Sequence, residues 1–77
     1  MNTLIDTPAA ARHEDGLIFV TMNSGDVISF SCAAYPRLAK ATHDQLAEIE
    51  LSPFGLHWPQ LDEDLSIRAL KSDHRES

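Results

Sequence analysis

A single cysteine, Cys32, cannot form an intramolecular bridge, so the disulfide framework common to small secreted domains is excluded. The N-terminal stretch MNTLIDTPAAARHEDG has neither a basic n-region nor an apolar h-region. With the lone thiol, this leads to the expectation of a reducing, cytoplasmic setting. Long apolar runs are missing as well: nothing approaches the roughly 18 apolar residues that span a bilayer. Glycine is scarce, with only Gly16, Gly25 and Gly55, and none belongs to a phosphate-cradling loop. Lysine and arginine are absent from one whole segment, Ala41 to Ile67.

The chain of 77 residues accommodates one domain. Its apolar fraction of 43% is that of a globular protein rather than a disordered one. A domain of this size buries only about 60% of its unfolded surface, and many such domains use staples. With disulfides excluded and no metal expected, homo-oligomerisation or partner binding is the expected source of added stability.

The net charge of −6 is localised. The segment without cations holds Asp44, Glu48, Glu50, Asp62, Glu63 and Asp64, and outside it six acidic and six basic residues cancel. An acidic surface repels phosphate backbones and disfavours direct nucleic-acid binding; it suits a basic protein partner. The plainer role of such acids is to keep a small domain soluble.

The pattern predicts an α+β domain: a small antiparallel sheet of three or four strands with two or three short helices on one face. Residues 1–13 read as a flexible segment or an edge strand, 14–71 as a compact domain, and 72–77 as a flexible polar tail. LIFVTM and VISF, split by N-S-G-D, predict a hairpin over 17–30 with a loop at Asn23–Asp26. Pro36 suits the first turn of a short helix over Pro36–Lys40. Thr42 and Gln45 have capping-box spacing before a helix from His43 to about Ile49, with Leu46 and Ile49 on one face and Asp44 and Glu48 on another. Strands are expected near 48–52 and 55–58, around a turn marked by Pro53 and Gly55. A last helix is expected with Ser66 as N-cap, Leu65 and Leu70 in staple positions, and its end near Lys71; the D-E-D run reads as flanking its start.

Chemistry-bearing residues are few. His57 precedes Asp62, Glu63 and Asp64, but the spacing matches no zinc pattern, and a hydrogen bond from His57 to a carboxylate is the simpler expectation. No metal and no cofactor is expected. Paired carboxylates can serve glycoside hydrolysis, yet so small a domain has little room for the cleft required. Cys32, near the end of an apolar strand, reads as buried rather than nucleophilic. Tyr35, Arg37 and Trp58 are of the types enriched at binding hot spots. Trp58 reads either as the largest core residue or as an exposed anchor, with core favoured; Arg37 reads as forming a buried pair with a carboxylate of the acidic segment, or as reaching a partner.

Tyr35-Pro36-Arg37-Leu38, the Thr42–Gln45 helix start and the string Gly55-Leu56-His57-Trp58-Pro59-Gln60-Leu61-Asp62-Glu63-Asp64-Leu65-Ser66 together resemble the bacterial family known as domain of unknown function 2442. The resemblance covers about Gly16 to Lys71. Two features depart from the family pattern: TPAAAR is a less marked first strand, and the hairpin turn reads S-G-D. The resemblance implies an α+β domain, found alone or joined to a helix-turn-helix domain and often encoded beside a small partner, as in toxin–antitoxin pairs. It carries no catalytic residues. The expectation is therefore a non-enzymatic, antitoxin-like or regulatory protein-binding module. Its candidate partner-binding residues are Arg37, Asp44, Glu48, Glu50, His57, Trp58, Asp62, Glu63 and Asp64. The alternatives are an acidic nucleic-acid mimic that blocks a nucleic-acid-binding complex, and a small structural subunit.

Overall fold

The computed structural model describes residues 6–73, and of Ser72 and Asp73 only the backbone. Strand β1 (Pro8–Glu14) is the first element of the described residues, so the segment read as tail or edge strand is an edge strand from Pro8 to His13. Pro8 stands at its first position, where a missing N–H costs no ladder bond, and a bulge follows between Pro8 and Ala10. Asp15 and Gly16, both at positive φ (51° and 78°), connect it to β2 (Leu17–Met22). This is the two-residue Asp-Gly turn whose twist suits an antiparallel hairpin. It lies one turn ahead of the S-G-D segment.

The second hairpin forms where the sequence places it. Strand β3 (Val27–Ser31) pairs with β2 from Thr21↔Val27 to Leu17↔Ser31. Gly25 N–H donates to Met22 O (2.9 Å), Met22 N–H donates to Asp26 O (2.8 Å), and Gly25 takes φ 102°. The three strands form one antiparallel sheet in the order β1-β2-β3. Ile18, Val20 and Met22 point inward from β2 and are fully buried, as the strand's period of two requires. On the outer face the Arg12 guanidinium lies 4.6 Å from the centroid of the Phe19 ring and covers it.

A 3-10 turn over Cys32–Ala34 leads into helix α1 (Pro36–Ala39), with Pro36 at its first position. Helix α2 (His43–Ala47) carries the full capping box: Gln45 N–H donates to Thr42 Oγ1 and Thr42 N–H donates to Gln45 Oε1. The remaining strands make a second antiparallel sheet, ordered β4-β5-β6: β4 (Glu50–Ser52), β5 (Gly55–Trp58) and β6 (Glu63–Ser66). The α+β class is as expected, but the strands divide into two three-stranded sheets instead of one. The D-E-D run is also not a helix flank: Glu63 and Asp64 lie within β6, paired with Trp58 and His57. Helix α3 (Ile67–Asp73) follows, and Ser66 Oγ accepts from Ala69 N–H (3.0 Å) as its cap. Ser72 and Asp73, expected in the tail, continue this helix, while the rest of the tail, 74–77, lies outside the described residues.

The core sits between the two sheets and the helices. Trp58, Leu56, Leu38, Leu46, Ile67 and Leu70 meet the inward side chains of β2 and Phe30 of β3. Fully burying an aliphatic side chain stabilises by about 1.5–3 kcal/mol, so these positions outweigh any surface pair. Among the described residues no helix is long and apolar enough to cross a membrane.

Candidate functional site

Directly opposed residues of paired strands project to the same face. In the second sheet Leu51, Leu56 and Leu65 are opposed, and Leu56 points into the core. The next row, Glu50–His57–Asp64, therefore faces outward across all three strands. His57 Nδ1 lies 2.7 Å from Asp64 Oδ1, the carboxylate partner expected for it. An open cleft of about 360 Å³ lies over this face, with Glu50, Ser52, Phe54, Gly55, His57 and Asp64 among its walls.

The other acids are arranged around this row. Gln60 Nε2 donates to Glu48 Oε1, which ties the end of α2 to the loop after β5. Asp62 is exposed in the β5–β6 turn and holds φ 52°, a left-handed conformation that Asp adopts more readily than most side chains. Its carbonyl and that of Leu61 accept from Arg37 Nη1 (3.2 and 3.1 Å). Arg37 Nε also stands 3.6 Å from Glu63 Oε1. Arg37 thus pins the β5–β6 connection from α1 and pairs with Glu63 rather than the outward row; the pair is not the buried one expected, because the Arg37 side chain is exposed. Asp44 remains exposed in the first turn of α2, and no hydrogen bond or ion pair joins it to the row.

Trp58 must be removed from the candidate surface. It is fully buried, and its Nε1–H donates to Leu46 O (3.0 Å), one of the carbonyls that α2 leaves unpaired at its C-terminal end. The reason is the period of the strand: Trp58 lies two residues from Leu56 and shares its inward face. Cys32 is buried too, and burial pushes its thiol pKa up, which makes it a poor nucleophile. Among the described residues no three His, Cys, Asp or Glu side chains gather as a metal-ligand set.

Phe54 was not among the sequence candidates. It is 72% exposed at the tip of the β4–β5 turn, the most exposed large apolar side chain described. Its backbone is nonetheless held: Phe54 N–H donates to Ser52 Oγ (3.3 Å), and Ile67 N–H donates to Phe54 O (2.8 Å). An aromatic residue between Pro53 and Gly55 at a turn was the available signal, since turn tips face solvent. The pairing of His13 with His43, whose Nδ1 atoms lie 2.7 Å apart, had no sequence signal at all.

Two solved structures are similar to the chain. One is a crystal structure of a protein of unknown function from Rhodospirillum rubrum ATCC 11170, with TM-score 0.81 and 29% identity over 94% of this chain and 92% of that one. The other is a solution NMR structure of an uncharacterized protein from Chromobacterium violaceum, with TM-score 0.79 and 27% identity over 92% of this chain and 69% of that one. No curated protein matches the chain. The model of the family described as protein of unknown function (DUF2442) matches residues 8–75, nearly the whole domain, and the chain belongs to that family.

Proposed function

We propose that this chain is a non-enzymatic protein-binding module that takes a basic partner on the outer face of its second sheet. The observation that carries this reading is the Glu50–His57–Asp64 row, flanked by Glu48 and Asp62 in a segment with no lysine or arginine. Among the described residues the one lysine or arginine that pairs with a carboxylate of this segment, Arg37, is held by Glu63 and two carbonyls. The remaining carboxylates are left to attract an incoming positive charge, which raises association rates and makes them salt-sensitive. Phe54 supplies a preorganised apolar anchor beside the charged row, and an anchor held in place loses little freedom on binding. The antitoxin form of this role is supported by the resemblance read from the sequence, which implies a small partner encoded alongside.

The test is co-purification from the native host at low and high salt, followed by mass measurement of the complex. A basic small protein is expected, recovered less well at high salt. It should be lost in the variant Glu50→Gln/Asp62→Asn/Asp64→Asn. Equal recovery with that variant overturns the charge-based mechanism.

A further inference from the structure

His13 and His43 sit on different elements, β1 and the first turn of α2, yet their Nδ1 atoms stand 2.7 Å apart. Their ring centroids are 4.8 Å apart, well beyond the nitrogen separation, so the two nitrogens face each other between the rings. Only one facing nitrogen can carry a hydrogen; the other must present its lone pair. One ring donates its Nδ1–H to the Nδ1 lone pair of the other. A late first-row cation can take both Nδ1 lone pairs once the donating ring passes its Nδ1 proton, through solvent, to its own Nε2.

We propose that His13 and His43 form a two-histidine site for a late first-row divalent cation such as Zn²⁺, Ni²⁺ or Cu²⁺, with water in the remaining positions. Imidazole is a ligand of choice for this class. Zinc–nitrogen distances of about 2.0–2.1 Å place two ligating nitrogens about 3.3 Å apart at a tetrahedral angle, so the rings need part by only about 0.6 Å. Neither ring is buried: His13 is half-buried and His43 exposed, so small side-chain rotations provide this. The backbones beneath are already placed, His13 by its pairing with Ile18 and His43 by the capping box that starts at Thr42. An open cleft of about 420 Å³ adjoins the pair, with both histidines and the acidic Asp15 among its walls, which leaves room for bound water. The net charge of −6 favours any cation.

Such a cation clips β1 to α2 across a separation of 30 residues. It acts as the staple that Cys32 alone cannot provide. Because the clip lies on β1 and α2 rather than on the outward row of the second sheet, it stands or falls independently of the proposed partner surface.

The experiment titrates the full chain with Zn²⁺, Ni²⁺ and Cu²⁺ chlorides by calorimetry, with Mg²⁺ and Ca²⁺ as hard-cation controls. One ion per chain is expected, tightest for Cu²⁺, with no saturable uptake of Mg²⁺ or Ca²⁺. His13→Ala and His43→Gln should each weaken binding at least tenfold, while His57→Ala and His74→Ala keep wild-type affinity. Metal in excess should raise Tm by several degrees in the wild type and not in His43→Gln, whose substitution at an exposed position leaves the fold intact. Failure of all three ions to saturate below about 1 mM overturns the proposal. So does unchanged binding by His43→Gln, or loss of binding in His57→Ala or His74→Ala.

Discussion

Gly55→Ala is a one-methyl change that should destabilise this domain severely. A Cβ built at Gly55 lies 2.2 Å from Leu65 O, 2.9 Å from Ser66 Cα and 3.1 Å from Leu65 C. All three are backbone atoms of β6, the strand to which Gly55 is paired through Ser66. No rotamer change can relieve the contact; β5 and β6 must move apart. Overpacking a well-filled site costs about 1–3 kcal/mol when side chains can yield, and here none is available, so about 3 kcal/mol or more is expected. For a domain of this size total stability is about 4–12 kcal/mol, and each kcal/mol moves Tm by about 4–8 °C. The expected fall is therefore about 12–24 °C, followed by circular dichroism and checked by urea denaturation. Gly25→Ala is the informative control. It meets no atom within 4 Å but must hold φ 102°, so its cost is dihedral strain of about 1–2 kcal/mol. A Gly55→Ala protein within about 0.5 kcal/mol of wild type, or more stable than Gly25→Ala, would refute the close-approach argument.

Trp58→Phe removes the Nε1–H bond to Leu46 O and some core volume, and should cost about 1–3 kcal/mol by urea denaturation; Trp58→Ala should cost about 3–5 kcal/mol. Thr42→Ala deletes one half of the capping box and should lower stability by about 1 kcal/mol, measured the same way. Phe54→Ser should leave stability within about 0.5 kcal/mol of wild type while weakening recovery of the partner, since the ring touches solvent rather than core. The Ser24 hydroxyl, and to a lesser extent its N–H, hold the Asp6 carboxyl below its ordinary value of 3.8. A lowered folded-state pKa stabilises above the unfolded value, and the contribution fades as pH falls through the folded one. The gap in urea midpoint between wild type and Asp6→Asn should therefore be widest at neutral pH and close below 3.8; a gap that widens with acid contradicts this assignment.

Much of the local structure was legible because it is encoded in a few contiguous residues. Thr42 with Gln45, Pro36, Ser66 and the N-S-G-D turn each satisfy backbone groups or set dihedrals within one turn of themselves. The acidic segment was legible for the same reason, as a run with no cation in it. Strand β6 was not. Its alternation lasts four residues, and its inward positions, Glu63 and Leu65, are only half-buried, so three acids in a row read as helix-start chemistry.

Sequence alone determined the α+β class, the caps, the turns at Asn23–Asp26 and Pro53–Gly55, the absence of a disulfide and the sign of the charge between Ala41 and Ile67. Each of these depends on residue type and short-range spacing. Tertiary structure alone decided that the strands form two sheets, that Glu50, His57 and Asp64 share one outward row, and that Gly55 lies against the backbone of β6. It also decided that Trp58 faces inward, and that His13 meets His43. These depend on strand register and on contacts between distant segments, where a shift of one residue turns every side chain to the opposite face.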